Sequence, residues 1–341
     1  MLQEPPRYVT DIRAQPQALQ ALLDRSPGEA AQQLLGRLSE LDRVIMTGMG
    51  ASLYAQHPAF LTLAAAGLPV WWIETSELLG KARGLLTARS LLWITSQSGR
   101  SAEVVALLSE RSSDRPAVLG VTNDLTSPLA EAADAVIDLC SGGEHTVGTR
   151  SYVNSLAAHL EATSIALRRP VPPDLYDMPR HLDAYLSRWD EHMKLWASAV
   201  RQSIIFSLGR ETSLAAAMTG ALIVKEAAKV AMEGMSASQF RHGPLEMADD
   251  RTCVILLPGT GASVPLIDRL AADLAAVGAN AVQLLGSDLP GDRPWLPAAD
   301  SAETLPIAEI IPFQLLSVIL AERQGLEPGA FRQIAKVTTA L

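Results

Sequence analysis

A short segment of the chain concentrates hydrogen-bond donors at close spacing. It reads Thr95-Ser96-Gln97-Ser98-Gly99-Arg100-Ser101 and offers three serine hydroxyls and one amide. Gly99 allows the backbone to come close to a bound group, because glycine has no side chain. A phosphate dianion favours such a set of donors. Serine is also common at helix N-termini for structural reasons, so the spacing alone supports a phosphate site and an ordinary helix cap equally.

Other motifs of nucleotide and metal chemistry are incomplete. Gly48-Met49-Gly50-Ala51-Ser52 matches half of the dinucleotide fingerprint but lacks the third glycine, and no Gly-x-x-x-x-Gly-Lys-Ser/Thr loop occurs. The histidines form no His-Glu-x-x-His or comparable cluster, so we expect neither a metal nor a cofactor. They are His57, His145, His159, His181, His192 and His242.

Short apolar segments alternate with helical segments along most of the chain. Buried strands separated by helices predict an α/β fold with a parallel sheet covered on both faces. The predicted strands are 43–47, 69–73, 91–95, 117–122 and 135–139 in the first half and 203–208, 253–257 and 281–285 in the second. The serine segment follows the third strand at its carboxyl end, where ligands bind in such sheets and where the next helix offers free N–H groups.

The two halves repeat one pattern. The first strand of each half is followed by a similar segment, residues 48–52 in one half and 209–213 in the other. A later strand of each half is likewise followed by residues 96–101 and by residues 258–263. Corresponding segments are separated by about 160 residues. Two tandem, doubly wound, flavodoxin-like domains related by duplication are the simplest explanation. The predicted parts are an N-terminal helical segment (1–42), a first domain (43–170), a connecting helix (171–200), a second domain (201–325) and a C-terminal tail or lid (326–341).

Composition excludes several classes of partner. The formal net charge is -9 and no run of Lys or Arg stands out, so we expect no nucleic acid. The two cysteines, Cys140 and Cys253, make no disulfide scaffold, which favours the reducing cytoplasm. The N-terminus lacks the features of a signal peptide, and no uninterrupted apolar stretch is long enough to span a bilayer, so we expect no membrane partner.

Four short motifs, in order along the chain, resemble a known family. Ser-Gln-Ser-Gly after a buried strand resembles the phosphosugar loop of SIS (sugar isomerase) domains. Residues 7–16 resemble the family's N-terminal "E-I-x-E-Q-P". Residues 225–244 resemble the "K-E … E-x-K-H-G-P" of the isomerase half of glucosamine-6-phosphate synthase, and residues 332–338 its "R-x-L-A-K-S-V-T" tail. The chain thus resembles a double SIS domain phosphosugar isomerase, and also the SIS-type glucosamine-6-phosphate deaminases.

The resemblance implies a role for each matching residue. The phosphate and the sugar hydroxyls would be held by Ser52, Ser96, Gln97, Ser98 and Ser101. A neighbouring loop would lie against the sugar with Val147, Gly148 and Thr149. Glu226 would be the acid–base residue, and Lys336 would approach the carbonyl carbon from the tail. His242 would help to open the sugar ring, reaching in from the second subunit of a homodimer. On the residues alone, Phe240 and Pro244 beside His242 indicate a packed contact.

The residue types suit this chemistry on their own account. Moving a proton between C1 and C2 of a sugar needs one carboxylate, and opening the ring needs a group that exchanges protons near neutral pH, such as histidine. A lysine amine forms an imine with an open-chain ketose. In the alternative interpretation, Glu226 forms a surface ion pair with Lys229, and Lys336 is a solvated tail charge. The sequence departs from the synthase at Ile223, where the synthase has Lys.

The leading hypothesis is an isomerase or deaminase acting on an amino-sugar phosphate without a cofactor. Conversion of glucosamine 6-phosphate to fructose 6-phosphate and ammonia is the best candidate. The alternatives are a fructosamine-phosphate deglycase, a ketose-phosphate isomerase and, from another class, a non-catalytic sugar-phosphate sensor. Retention of Glu226, His242 and Lys336 favours an enzyme. No segment resembles the synthase's glutamine-hydrolysing domain, so we expect no ammonia production from glutamine.

Overall fold

The structure is a computed structural model that describes residues 4–109, 115–284 and 294–340. The chain divides into two compact units. The five-strand unit consists of Gln17–Glu144, Arg150–Pro172 and Arg332–Leu341. The four-strand unit consists of Met1–Pro16, His145–Thr149 and Pro173–Phe331.

The five-strand unit is built on one parallel sheet. Its strands are β1 (Arg43–Gly48), β2 (Val70–Glu74), β3 (Ser90–Thr95), β4 (Ala117–Thr122) and β5 (Ala135–Asp138). They lie in the order β2-β1-β3-β4-β5, with Val44 of β1 opposite Val70 of β2 and Leu91 of β3. This is the flavodoxin-like order, whose switch point lies between β1 and β3. All of β3 is buried, as expected for a central strand covered on both faces.

Helices cover this sheet and lead into it. They are α2 (Gln15–Leu23), which begins in the other unit, α3 (Glu29–Leu35), α4 (Ala51–Tyr54), α5 (His57–Ala65), α6 (Thr75–Leu78), α7 (Ala102–Ser109), α8 (Pro128–Ala132) and α9 (Arg150–Ala166). The side chains from Ser151 to Ser164 in α9 are all buried, so this helix is enclosed on every side along most of its length.

The four-strand unit repeats the same strand order. Its strands are β6 (Ile204–Gly209), β7 (Met232–Ser236), β8 (Thr252–Leu256) and β9 (Asn280–Gln283). All pairs are parallel and the order is β7-β6-β8-β9, which matches β2-β1-β3-β4 of the first sheet. The predicted fold of two doubly wound parallel sheets is therefore confirmed. Of the predicted strand 281–285, Leu285 lies outside the described residues, and β7 was not predicted.

The helices of the four-strand unit include a long one, α15 (Leu305–Arg323), that is buried along nearly all of its length. They are α1 (Arg7–Arg13), α10 (Met178–Leu186), α11 (Trp189–Ala199), α12 (Leu214–Ala228), α13 (Ala237–Phe240), α14 (Val264–Ala276) and α15 (Leu305–Arg323). Gly220 of α12 allows close approach to α15, because a Cβ atom there would lie 2.4 Å from Cγ of Phe313. By length and composition α15 could cross a membrane. However, 94% of its apolar 18-residue stretch is buried inside the protein, which is typical of a core helix.

Candidate functional site

The serine loop, residues 96–101, joins β3 to α7. Its first residues continue the pairing with β4, since the Ser96 amide donates to the Val121 carbonyl (3.0 Å) and the Asn123 amide to the Gln97 carbonyl (3.0 Å). The chain then turns back, and the hydroxyl oxygens of Ser96 and Ser101 lie 3.5 Å apart. Two of the predicted phosphate ligands therefore meet where α7 begins, at the positive end of the helix dipole.

Gly99 fixes the turn within the serine loop. Its φ is +60°, in the left-handed region that favours glycine, and its amide donates to the Ser96 hydroxyl (3.2 Å). A Cβ atom at this position would lie 2.1 Å from the hydroxyl oxygen of Ser127, the residue that caps α8. The Leu129 amide donates to the Gly99 carbonyl (3.2 Å). The loop is thus packed against the N-terminus of α8 with no room for a side chain.

The turn that leads into α4, the short helix that carries Ser52, lies beside the end of β3. It follows β1, which pairs with β3 up to Thr47 and Ile94. A Cβ atom at Gly48 would lie only 2.8 Å from the Thr95 carbonyl oxygen, so the ends of the two strands are in close contact. The structure therefore brings Ser52 and the serine loop to the same edge of the sheet, at the switch point between β1 and β3.

A buried polar network supports these two strand ends. The side-chain nitrogen of Gln56 lies 3.0 Å from the Thr47 carbonyl oxygen, 3.1 Å from that of Trp93 and 2.7 Å from the Thr95 hydroxyl. The same hydroxyl lies 3.0 Å from Nε2 of His159, whose pKa is lowered to about 3 by burial. His159 is therefore a neutral structural residue at physiological pH. Nothing in the sequence around Gln56 indicated this role.

The C-terminal tail places Lys336 in the five-strand unit. Its ammonium lies 2.9 Å from a carboxylate oxygen of Glu144, and the two side chains are 21% and 0% exposed. Two residues further on, the Thr338 carbonyl accepts a hydrogen bond (2.9 Å) from the amide of Ala102, the first residue of α7. The tail is thus bound at the helix end that follows the serine loop, and Lys336 is not a freely solvated charge.

Glu144 was not predicted from the sequence. It follows β5 in a glycine-containing loop and precedes α9, and its carboxylate accepts hydrogen bonds from the Ser151 hydroxyl (2.7 Å) and amide (3.3 Å). The only available signal was a single acidic residue in a loop at the carboxyl end of a predicted strand, and such residues are common.

Glu226 belongs to the four-strand unit, in the last turn of α12. Its side chain is partly exposed. Lys229 ends the helix in a left-handed conformation (φ 58°) and donates from its ammonium to the carbonyls of Glu226 and Ala330. The Gly329 amide donates to the Ala227 carbonyl (3.3 Å). The helix end that carries Glu226 therefore also holds the residues that lead into the tail.

The remaining predicted residues also belong to the four-strand unit. Val147 and Thr149 are buried in the segment before α9. His242 is exposed on the turn after α13. Phe240 makes a packed contact, and that contact lies within its own unit. Its ring is fully buried in its own unit and packs edge-on against Phe206, with centroids 5.1 Å apart.

The chain belongs to the SIS domain family, whose model matches residues 37–166 and 200–289. Glutamine–fructose-6-phosphate aminotransferase (isomerizing) of Pyrococcus horikoshii is 29% identical over 345 residues, which cover 96% of this chain and 57% of that protein. The chain spans about half the length of the curated relatives it matches.

Two solved structures share the fold at lower identity. The C-terminal domain of glucosamine-fructose-6-phosphate aminotransferase from Francisella tularensis superposes with a TM-score of 0.81 at 18% identity, covering 96% of this chain and 98% of that one. Glucosamine-6-phosphate deaminase from Thermotoga maritima gives 0.77 at 18% identity, covering 97% and 99%.

Proposed function

We propose that this protein is a sugar-phosphate isomerase or deaminase that converts glucosamine 6-phosphate to fructose 6-phosphate and ammonia. Family membership and the names of the relatives support a phosphosugar substrate. The serine loop at the switch point supports recognition of the phosphate, because hydroxyls and free N–H groups at a helix N-terminus favour an anion.

One observation favours catalysis over binding alone. The tail that bears Lys336 is hydrogen-bonded at Thr338 to the first residue of the serine loop's helix. Lys336 and Thr338 are two residues apart, a span of at most about 7 Å in an extended chain. An amine is therefore held near the loop proposed to bind phosphate. A sensor that only binds phosphosugars has no need of such an amine.

In the proposed reaction, Ser52 and the serine loop hold the phosphate while Val147, Gly148 and Thr149 lie against the sugar. His242 transfers the proton that opens the ring, which exposes the C1 aldehyde. Glu226 removes the proton from C2 and returns one to C1, while a proton passes from the amino nitrogen to O1. The C1 aldehyde thereby becomes an alcohol and the C2 amine an imine. Lys336 exchanges with this imine and releases ammonia, and water then hydrolyses the lysine imine to the C2 ketone. The tail covers the substrate meanwhile.

The test is a coupled assay of ammonia release across a panel of hexosamine 6-phosphates. We expect glucosamine 6-phosphate to be turned over, and Glu226→Gln to lower the rate by about 10²–10⁴-fold, because it keeps the size of the side chain but removes the base. Glu322→Gln is the matched control, since Glu322 also lies in the last turn of a helix in the same unit. Tight binding of these phosphates by the wild type without turnover would instead establish the sensor.

We further propose a homodimer in which His242 completes the site of the partner subunit. The exposed position of His242 supports this, since the side chain is accessible to a second copy. Mixing His242→Ala chains with Glu226→Gln chains should restore activity, because the mixed dimer contains one intact site. Failure to restore it, with subunit exchange verified, would place His242 in the site of its own chain.

A further inference from the structure

We propose that Glu144 is a second acid–base residue of this site, which takes a proton from Lys336 and returns it to the group that leaves when the lysine imine forms. That group is the nitrogen of the C2 imine in the proposed deaminase reaction and the C2 oxygen in the reaction with a ketose phosphate. This inference rests on the proposed role of Lys336, and it assigns a function to a residue that neither the motifs nor the family resemblance singled out.

The geometry of Glu144 suits proton transfer. One of its carboxylate oxygens lies 2.9 Å from the Lys336 ammonium, within direct proton-transfer distance, and its side chain is fully buried. The Ser151 hydroxyl donates to that same oxygen (2.7 Å) and the Ser151 amide to the other (3.3 Å). Both oxygens are therefore fixed in orientation, as a proton shuttle requires.

The surroundings favour the carboxylate form of Glu144 in the resting protein. Ser151 lies in the first turn of α9, a helix of 17 residues, so its amide belongs to the positive end of the helix dipole. Lys336 supplies a full positive charge beside it. A buried carboxylate is stable only with such partners, and transfer of one proton from Lys336 to Glu144 neutralises both groups at once, so that neither is left as an unpaired buried charge.

The proton balance of the step needs this acceptor. A lysine ammonium cannot attack a carbonyl carbon until one proton leaves the nitrogen. With that proton on Glu144, the amine adds to C2 of an open-chain ketose phosphate and gives a carbinolamine. Glu144 then returns the proton to the C2 hydroxyl, which leaves as water, and the product is a protonated imine. No oxidant or reductant takes part, and Glu144 ends as the carboxylate it was at the start.

The test is borohydride trapping of Lys336 with fructose 6-phosphate, followed by peptide mass spectrometry. Glu144→Gln should slow adduct formation by about 10²-fold or more, since a positioned acid–base group contributes about 10²–10⁴-fold. The affinity of the Glu144→Gln variant for glucose 6-phosphate measures binding by the serine loop, and it should change by less than about threefold. Glu161→Gln is the matched control, because Glu161 is also a buried, ion-paired carboxylate of the same unit, held 3.1 Å from Arg25.

Two further variants separate chemistry from structure. Glu144→Asp keeps the carboxylate and should recover part of the lost rate. Glu144→Ala should regain rate as formate is added, because a small carboxylate can take the proton in place of the side chain. A merely structural Glu144 would give neither recovery. Melting temperatures identify any variant that fails to fold, in which case the aspartate variant decides.

The outcomes distinguish this inference from the proposed function. Equal trapping rates for the wild type and Glu144→Gln would overturn the role of Glu144 while leaving Lys336 in place. Ammonia release by a wild type that forms no trapped adduct would overturn the lysine imine, and the role of Glu144 with it, but not the deaminase. Absence of both ammonia release and adduct would overturn the proposed function itself.

Discussion

Replacing Gly99 by alanine tests whether the shape of the serine loop determines phosphosugar binding. The residue has φ +60°, and a Cβ atom would lie 2.1 Å from the Ser127 hydroxyl oxygen and 2.6 Å from the Ser127 Cβ. The left-handed conformation costs a non-glycine residue roughly 1–2 kcal/mol. Forcing extra atoms into packed space adds about 1–3 kcal/mol. We therefore expect Gly99→Ala to lower the free energy of unfolding by roughly 2–5 kcal/mol.

Two other glycines of the same unit separate the two contributions. Gly67 has φ +80°, and a Cβ atom there would have no neighbour within 4 Å, so Gly67→Ala should show only the backbone cost. Gly84 has neither a positive φ nor a near neighbour, so Gly84→Ala should be close to neutral. Removing the Ser127 side chain, which the added Cβ atom would meet, should restore stability. In the Gly99→Ala/Ser127→Gly double variant, the steric part should be recovered, while glycine as the cap of α8 costs only a few tenths of a kcal/mol.

Urea unfolding measures stability, and calorimetric titration with glucose 6-phosphate measures binding. We expect Gly99→Ala to weaken binding by about tenfold or more, a loss of about 1.4 kcal/mol, because the Ser96 hydroxyl and the Gly99 amide move together. Gly67→Ala should bind as the wild type does. Equal costs for Gly99→Ala and Gly67→Ala, or no coupling between Gly99→Ala and Ser127→Gly, would refute the steric reasoning. Unchanged binding by a destabilised Gly99→Ala would refute the role of the loop.

Three further predictions concern the buried carboxyl of Glu309, the phosphate group of the ligand and the proposed imine of Lys336. Burial raises the pKa of Glu309 from 4.5 to about 8, so its contribution to stability is greatest below pH 4.5 and is lost as the pH rises towards 8. Relative to the wild type, the free energy of unfolding of Glu309→Gln should therefore gain about 3–4 kcal/mol between pH 5 and pH 8 in urea titrations, and a constant difference would contradict the linkage. Glucose 6-phosphate should raise the melting temperature while glucose does little, since the phosphate is the main anchor, and equal shifts would argue against the serine loop. Lys336→Met should abolish the borohydride-trapped adduct and spare glucose 6-phosphate binding in titrations, and an adduct that persists would place the imine elsewhere.

Much of the fold was predictable because its signals are local. Parallel strands buried on both faces are continuous apolar segments, and all five strands in the first sheet begin and end within one residue of the predicted positions. The exception to local prediction is β7, Met232–Ser236, an edge strand with Glu233 and Gly234 among its five residues. Gly234 permits close contact with α12, since a Cβ atom would lie 2.4 Å from the Ala217 carbonyl oxygen. Packing, and not the strand's own composition, explains its position.

The candidate site was predictable only where it follows a motif. The serine loop is contiguous in sequence, so its side chains could be named together. Glu144 and Lys336 are 192 residues apart, and Gln56 contacts Thr95 across 39 residues. Neither contact produces a periodic pattern in the sequence, because each depends on the ends of separate elements meeting in the folded unit. Long-range polar contacts of this kind are therefore the part of the site that required the structure.

The two sheets share one strand order, but the described part of the four-strand unit lacks the set of accessible hydroxyls on which the phosphate site proposed in the five-strand unit is based. Ser213 is the counterpart of Ser52, yet it is fully buried and its hydroxyl donates to Glu309 (2.8 Å). Ser263 is the counterpart of Ser101 and is also buried. The counterpart of the serine loop, residues 258–263, opens with a proline, which has no amide hydrogen to donate. In the four-strand unit, the hydroxyls at the corresponding positions are buried in the core. We therefore expect that unit to contribute to the proposed chemistry through Glu226 and His242.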